Sequence, residues 1–405
     1  MIKERWLLLI LAAIQFTHIM DFMIIMPLGS QFMRVFDISP QQFSMIVSAY
    51  AISAFFFGLF SSMYIDRFDR KTALLINYIG FTLGTLACSF APTYEIFLLA
   101  RSLTGAFGGV LGALVLAVIG DVIPLHRRSS AMGMVMTAFS VASIAGVPLG
   151  IFLAATFTWQ APFIFVGSIA VVLTFLIVWL LPGMDGHMQG QKTGEKTGRD
   201  PFRAMINAVQ DVDQRRALLF TLVLMLGHFT IIPFIAPYMQ LNIGFSDYEV
   251  TYIYMVGGAL TVFLLPLFGK ISDRLGNARV FTLASFFAVF SIFAITNLPP
   301  VSIVLALCAT SSFFVVASGR NVPATTMITA VVRPENRGSF MSIRSSVNEM
   351  ALALSSFVAG SIIIEKADGS LGNYAYVGYI AIIMSILAIV VARSVRVVET
   401  REVKK

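Results

Sequence analysis

Charged side chains are scarce in this sequence. Asp, Glu, Lys and Arg make up 12% of its 405 residues, whereas soluble domains contain about 25%. Hydrophobic residues account for 58%, and apolar stretches of about 20 residues recur along the whole chain. The short alternating segments of an outer-membrane barrel are missing. These features exclude an ordinary soluble domain and predict an all-α integral membrane protein.

Cysteine is also rare, with only Cys88 and Cys308, and both lie in apolar stretches. This excludes a disulfide framework, and we expect both to be small buried hydrophobic residues. We expect no metal and no cofactor. GQKTGEKT, at 190–197, lacks the spacing of a phosphate-binding loop, so ATP coupling gains little support. We expect the chain not to be an enzyme.

Turn signals and charges divide the chain into twelve predicted spans. The N-terminal apolar run continues to about Met33 without a convincing cleavage site, so it reads as a retained first span and not as a signal peptide. The predicted spans lie near residues 6–33, 42–65, 72–91, 96–120, 129–156, 161–181, 215–240, 249–269, 279–297, 301–331, 339–364 and 373–393.

Lys and Arg residues outside the spans fall almost entirely on one side of this topology. Only Arg34 and Lys366 lie on the other side. The positive-inside rule then predicts that both termini are cytoplasmic. The net charge of +7 reflects this topology, so we expect the lipid bilayer as a partner and no nucleic acid.

An internal repeat divides the chain in two. DFMII at 21–25 resembles HFTII at 228–232, and PLHRRS at 124–129 resembles PENRGS at 334–339. The long polar segment between the copies is rich in Gly, Lys and Thr, which is typical of a flexible linker. We therefore predict an N-terminal bundle at 1–182, a cytoplasmic linker at 183–213 and a C-terminal bundle at 214–405, with six helices in each bundle.

Several motifs resemble those of the major facilitator superfamily. SMYIDRFDRK at 62–71 and GKISDRLGNAR at 269–279 are similar to its loop motif, although Ser62 and Asp69 replace glycines and Asn277 and Ala278 replace cations. RSLTGAFGG at 101–109 is similar to its span-four motif. AGVPLG at 145–150 looks like its antiporter motif with one inserted residue. The closest resemblance is to bacterial drug:proton antiporters and sugar-efflux-like members.

The resemblance implies a cytoplasmic latch and a hinge. In the family, the loop acid caps the helix of span eleven, and the arginine four residues later pairs with an acid that ends span four. Carried over, Asp66 would cap the helix near Gly338 and Arg70 would pair with Asp121, favouring the outward-open state. The remaining residues assigned to this latch are Arg67, Lys71, Asp273 and Arg274, and those assigned to the hinge in span five are Gly146, Pro148 and Gly150.

Asp21 is an acid well inside a predicted span, where insertion costs about 2.5–3.5 kcal/mol. His18 and Gln15 precede it by one and two helical turns, which predicts a polar stripe. His228 occupies the corresponding position of span seven. We assign Asp21, His18 and His228 to proton coupling, because a carboxylate and an imidazole can exchange protons. A structural ion pair or hydrogen bond to another span is the alternative for Asp21.

Arg101, Arg320 and Arg344 also lie inside spans, and their guanidinium groups stay charged. Glu349 is either a second proton site or the partner of Arg320. The acids do not balance the arginines, so a cavity favouring anionic or polar substrates is one hypothesis, and interhelical pairing is the other. The residues assigned to the substrate cavity are Gln15, Arg101, Arg320, Arg344, Asn348 and Phe229.

Together these features predict a secondary active transporter that works by alternating access. Proton-coupled efflux of small amphipathic compounds or sugars is the leading hypothesis. A proton-coupled uptake symporter is the first alternative, and a non-transporting membrane sensor or receptor is the second, although no extramembrane segment is long enough for a folded receptor domain. We expect a monomer in the bacterial inner membrane, with protons and a small molecule as its ligands.

Overall fold

The computed structural model describes residues 4–64, 68–184, 210–332 and 337–395. Most of this part of the chain is helical. The helices are α1 (Glu4–Ile24), α2 (Gly29–Phe36), α3 (Pro40–Tyr64), α4 (Arg70–Ser89), α5 (Tyr94–Val122), α6 (Leu125–Val141), α7 (Val147–Thr156), α8 (Ala161–Leu180), α9 (Val212–Phe229), α10 (Ile232–Tyr238), α11 (Asp247–Leu275), α12 (Asn277–Thr296), α13 (Ile303–Gly319), α14 (Asn321–Thr329), α15 (Arg337–Ile362) and α16 (Tyr374–Ala392). Two π-helical turns, Ala142–Gly146 and Met239–Ile243, follow α6 and α10.

Eleven segments of the described chain are long and apolar enough to cross a membrane. The predicted span at 339–364 is not among them. It nevertheless forms helix α15, whose 26 residues would extend about 39 Å at 1.5 Å per residue. Arg344, Asn348 and Glu349 make this helix more polar than the other spans. The structure thus has a helix where each of the twelve spans was predicted.

Contacts divide the chain into two units. Unit one consists of residues 1–25 and 49–203, and unit two of residues 26–48 and 204–405. The core of unit one joins α1, α4, α5, α6 and α8, with Leu11, Phe81 and Leu111 fully buried. The core of unit two joins α9, α12, α14, α15 and α16, around Phe220 and Phe281. Each unit therefore has its own apolar interior.

The placement of residues 26–48 differs from the prediction, which assigns them to the N-terminal bundle. They pack in unit two through Asp247, at the start of α11. Its carboxylate accepts hydrogen bonds from Gln240 (2.8 Å), Gln31 (3.2 Å) and Arg34 (3.4 Å). A sequence repeat groups residues by ancestry, whereas contacts group them by position, so the two divisions need not coincide.

Prolines interrupt several of the spans. Pro27 lies in the turn between α1 and α2, Pro233 at the start of α10, Pro323 near the start of α14, and Pro148 just after a π-helical turn. Proline has no N–H group, so the carbonyl four residues earlier cannot receive its helical hydrogen bond. Such breaks and π-bulges are common at functional sites of membrane proteins.

The connection between α15 and α16 contains a short hairpin that the all-α prediction missed. Strands β1 (Ile364–Glu365) and β2 (Leu371–Gly372) pair in antiparallel register. In the turn, Asp368 accepts hydrogen bonds from the Ser370 hydroxyl (2.6 Å) and backbone N–H (2.9 Å), which lower the pKa of its carboxyl group.

The two cysteines have different environments. Cys88 is buried, as expected, but Cys308 is exposed on the surface of α13, so the prediction of burial is wrong for this residue. Its position inside an apolar span does not distinguish a core-facing side chain from one on the outer surface of the bundle.

Glycines of α5 allow its neighbours to approach closely. A Cβ atom at Gly105 would lie 2.8 Å from Cα of Tyr50, and one at Gly109 would lie 2.6 Å from Cα of Ala54. The small residues Gly105 and Gly109 therefore allow close contact between α5 and α3.

We expect Gly105→Ala to destabilise the protein by about 1–3 kcal/mol, because the added methyl group meets backbone that must shift. Gly120→Ala is a matched control on the same helix, since a Cβ there meets nothing within 4 Å. That change should leave stability unchanged or raise it by up to about 1 kcal/mol, because alanine is the better helix former.

Thermal unfolding of both variants, purified in the same detergent, measures this difference. The melting temperature should fall for Gly105→Ala and not for Gly120→Ala. Equal shifts in the same direction would contradict the packing described for α5.

Candidate functional site

Asp21 is fully buried in unit one, where it joins three helices. Its carboxylate oxygens lie 2.7 Å from Arg101 Nη1 of α5 and 3.0 Å from Thr85 Oγ1 of α4. These contacts match the alternative expected for Asp21, a structural ion pair with another span. Removing one partner of such a buried pair costs about 3–5 kcal/mol, because the other charge is left uncompensated.

Arg101 is held by more than its ion pair. It is 1% exposed, and its guanidinium carbon lies 4.6 Å from the centre of the Tyr50 ring. This is cation–π geometry, which stabilises a desolvated arginine by about 2 kcal/mol. The Nε atom has no hydrogen-bond partner. Asp21 and the Tyr50 ring thus balance much of the guanidinium charge.

His18 joins the same group through Tyr50. Its Nε2 lies 3.0 Å from the Tyr50 hydroxyl, while its Nδ1 has no hydrogen-bond partner. Gln15, one turn earlier, has an unpartnered Oε1. The structure thus brings Asp21 and His18 together with Arg101, as a polar cluster within an apolar unit.

Tyr50 and Thr85 are members of this cluster that the sequence analysis did not identify. Both are uncharged residues within long apolar spans. A threonine hydroxyl in a span usually bonds its own backbone, and a tyrosine there resembles the other aromatic residues of the spans, so neither residue carries a distinctive signal. Their roles follow only from the helix packing around Arg101.

Unit two contains a second buried arginine with different surroundings. Arg320, between α13 and α14, is 0% exposed, and its Nη1 donates to Ser385 Oγ at 2.9 Å. Its Nε and Nη2 have no hydrogen-bond partner within the described part of the chain. The expected alternative that Glu349 pairs with Arg320 is wrong in this structure, because the guanidinium reaches α16 instead of α15. Glu349 Oε2 has no hydrogen-bond partner.

The other predicted site residues of unit two, which include His228 from the proton-coupling set, lie in two groups. His228 packs against Phe229, with ring centres 5.3 Å apart, and stacks on Phe313 at 6.2 Å. Arg344 Nη2 donates to Thr325 at 3.1 Å. Asn348, one turn beyond Arg344 and adjacent to Glu349, is half-buried.

The predicted pair of the cytoplasmic latch is present. Arg70 Nε lies 2.7 Å from Asp121 Oδ2, and Lys71 donates to the Val178 carbonyl at 3.0 Å. Asp69, which replaces a family glycine, caps α4 by accepting from Thr72 N at 3.0 Å.

The structure describes the other predicted latch residues only in part. Asp66 and Arg67 lie outside the described residues, and so do the side chains at the start of α15. Asp273 and Arg274 are exposed at the end of α11. The structure therefore supplies one ion pair of the predicted latch.

The predicted hinge coincides with the π-helical turn of span five. Pro148 follows this turn, and a Cβ at Gly146 would lie 3.2 Å from Phe16. At Gly150 a Cβ would lie 2.9 Å from Ile24. These glycines let span five approach α1, the helix that carries Asp21.

Metal coordination has no support in the part of the chain that the structure describes. No three His, Cys, Asp or Glu side chains there are grouped so that they can hold a metal ion.

Comparisons with known proteins agree with the fold. The chain is 24% identical over 286 residues to Multidrug resistance protein 2 of Bacillus subtilis, covering 69% of this chain and 70% of the relative. It is 25% identical over 226 residues to a probable sugar efflux transporter of Mannheimia succiniciproducens, covering 54% of each. A solved bacterial homologue of the human lysosomal transporter Spinster superposes with a TM-score of 0.76 at 16% identity, covering 96% of this chain and 97% of that structure.

The sequence model of the Major Facilitator Superfamily matches residues 11–320 and, in a second match, residues 217–405. The second match covers most of the second half, which agrees with the internal repeat. Members of this family are transporters and not enzymes. The chain belongs to the Major Facilitator Superfamily, and it is a multi-pass membrane transporter.

Proposed function

We propose that the protein is a proton-coupled exporter of small amphipathic compounds or sugars, working by alternating access in a bacterial inner membrane with both termini in the cytoplasm. The names of the relatives, a multidrug resistance protein and a probable sugar efflux transporter, support export. The observation that carries the proposal is the buried contact of Asp21 with Arg101.

We assign the proton site to Asp21 because either of two cations can balance its negative charge: the guanidinium of Arg101 or a bound proton. In the described arrangement the guanidinium of Arg101 does so, at 2.7 Å. A proton bound to the carboxylate removes the negative charge and weakens this contact, because a neutral acid is a poorer acceptor than an ionised one. Proton binding and the Asp21–Arg101 pair therefore oppose each other, and one proton alters the contact between α1 and α5.

Arg101 keeps its charge when Asp21 is protonated. The Tyr50 ring stays beneath the guanidinium, and the Tyr50 hydroxyl is bonded to His18. A change at Asp21 is thereby transmitted to α3 and to His18. His18 Nδ1 has no hydrogen-bond partner among the described residues, so it can bind a proton transiently before the proton reaches Asp21.

Glu349 is proposed as a second proton site, since its Oε2 lacks a partner and Arg320 does not bind it in the described arrangement. His228 is proposed to act beside it in unit two. Gly146, Pro148 and Gly150 form the hinge, where a π-helical turn lets span five bend against α1. In the antiporters that the sequence resembles, this bend seals the domain interface against proton leak.

The Arg70–Asp121 pair is proposed as part of a latch at the cytoplasmic ends of α4 and α5. The Arg70 side chain is 7% exposed and that of Asp121 is 32% exposed, so water screens the pair only in part. Opening the protein toward the cytoplasm is easier once this pair has broken.

The Asp21→Asn variant tests the proton role. We expect it to lose substrate movement driven by an imposed pH gradient in proteoliposomes, because the amide cannot exchange a proton. It should retain substrate exchange between two pools at equal pH, which needs no net proton movement. A small panel of lipophilic dyes and sugars identifies a transported probe in the parent protein first.

Melting temperature is the control for a purely structural role of Asp21. If the residue serves only to pair with Arg101, both transport modes should fall together with the melting temperature, and Asp21→Glu should restore both. Unchanged pH-driven transport in Asp21→Asn would remove this carboxylate from the coupling mechanism.

For the latch, Arg70→Ala and Asp121→Ala should each change the transport rate in the same direction, and the double variant should change it no further. The expected coupling is about 1 kcal/mol, since Asp121 is partly exposed. A double-mutant cycle on initial rates measures it. Strictly additive effects would mean that the two side chains do not act as a pair.

A further inference from the structure

Arg320 introduces a positive charge into the interior of unit two with little to balance it. The residue is 0% exposed, and Nη1 donates a hydrogen bond to the neutral Ser385 hydroxyl. Nε and Nη2 have no hydrogen-bond partner among the residues that the structure describes. A guanidinium has five N–H donors and does not lose its charge in proteins. A buried ion in this condition destabilises the fold unless something else compensates it.

Unit one shows what a balanced arginine looks like in the same chain. There the Arg101 guanidinium has a carboxylate at 2.7 Å and the Tyr50 ring at 4.6 Å. Both arginines are almost fully buried. The difference between them is therefore the missing anion beside Arg320, and not the degree of burial.

No acid of unit two supplies this anion in the described structure. Ion pairs between described residues of unit two are Arg34–Asp247 and Arg216–Asp213, and both acids lie at helix N-termini instead of mid-span. Glu349, an acid within α15, leaves Oε2 unpartnered and does not approach the guanidinium closely enough to pair.

Arg320 lies near the polar side chain of Ser385 and near the aromatic rings of His228 and Phe313. Phe313 lies two turns before Arg320 along α13, which places both on one face of the span, and Phe313 stacks on His228. A Cβ at Gly227, next to His228, would lie 3.6 Å from the backbone nitrogen of Ser385, the residue that Arg320 contacts. Arg320, Ser385 and the ring of His228 therefore lie around one part of unit two.

We propose that Arg320 binds the negatively charged group of a transported ligand, so that the substrate class includes amphipathic organic anions. This rests on the proposed export function and specifies its substrate. The two unpartnered positions of the guanidinium, Nε and Nη2, suit a bidentate contact with two oxygens of a carboxylate or a sulfonate. The rings of His228 and Phe313 suit the apolar body of the same molecule.

Access requires another conformation of the transport cycle, because Arg320 is fully buried in the one described. The helix break between α13 and α14 lies at Arg320 itself, and Pro323 cannot donate to the carbonyl of Gly319. A span interrupted at its charged residue can rearrange locally without breaking a regular helix.

A matched pair of probes tests the proposal: an arylsulfonate, charged at all working pH values, and the corresponding neutral arylsulfonamide. Calorimetry on the purified full-length protein in lipid nanodiscs measures both affinities without a pH gradient. We expect the parent to bind the sulfonate at least about tenfold more tightly, a typical effect of one charge-assisted contact. In Arg320→Met this preference should fall to within about twofold.

Arg279→Gln is the matched control, because Arg279 is an exposed arginine of the same unit. It should keep the full preference for the sulfonate. Arg320→Met should melt at or above the temperature of the parent, since it removes an uncompensated buried charge. If that variant does not fold, Arg320→Lys replaces it, and a retained preference together with a reduced affinity is then expected.

Two results would overturn the proposal: equal affinity of the parent for both probes, or an undiminished sulfonate preference in Arg320→Met. Asp21→Asn separates this inference from the proposed proton coupling. The variant should keep the sulfonate preference whether or not it retains pH-driven transport, because the binding measurement requires no proton step. Anion recognition and proton coupling can therefore fail independently.

Discussion

A charge placed among apolar helices must find a counter-charge, and the pair of Asp21 and Arg101 is the place where unit one meets this requirement. The contact fixes the relative position of α1 and α5, and Thr85 brings in α4 through the same carboxylate. Tyr50 of α3 then packs under the guanidinium and bonds His18. The ion pair and its neighbours thus link four helices inside the apolar core of unit one.

Close helix packing makes this geometry possible. Gly105 lies one turn after Arg101 on α5 and allows Tyr50 to come near enough for its ring to reach the guanidinium. On the other side of α1, Gly150 receives Ile24 beside the π-helical turn of span five. The polar cluster and the hinge therefore share α1, so a change in the charge of Asp21 acts on a helix that also contacts the bend.

Sequence reasoning could locate the charges but not their partners. Hydropathy identifies Asp21, Arg101 and Arg320 because charged residues are rare in spans. The Arg70–Asp121 contact is implied by the resemblance of the loop motif to that of the family, and the structure contains this contact. By contrast, Thr85, Tyr50 and Ser385 are ordinary span residues, and which of them meets a charge depends on helix rotation, which hydropathy does not encode. The placement of residues 26–48 in unit two likewise depends on contacts of Asp247 that no local pattern reveals.

The two halves each bury an arginine, but its surroundings differ between them. In unit one the arginine faces the carboxylate of Asp21. In unit two the arginine faces the neutral hydroxyl of Ser385. The proposed proton site and the proposed anion site therefore lie in different units. Under the proposed function this separation has a chemical advantage, since protonation of Asp21 changes the conformation without weakening the charge of Arg320 that holds an anionic ligand. If both tasks fell on one ion pair, each proton would alter ligand affinity directly, and coupling would depend on a single contact.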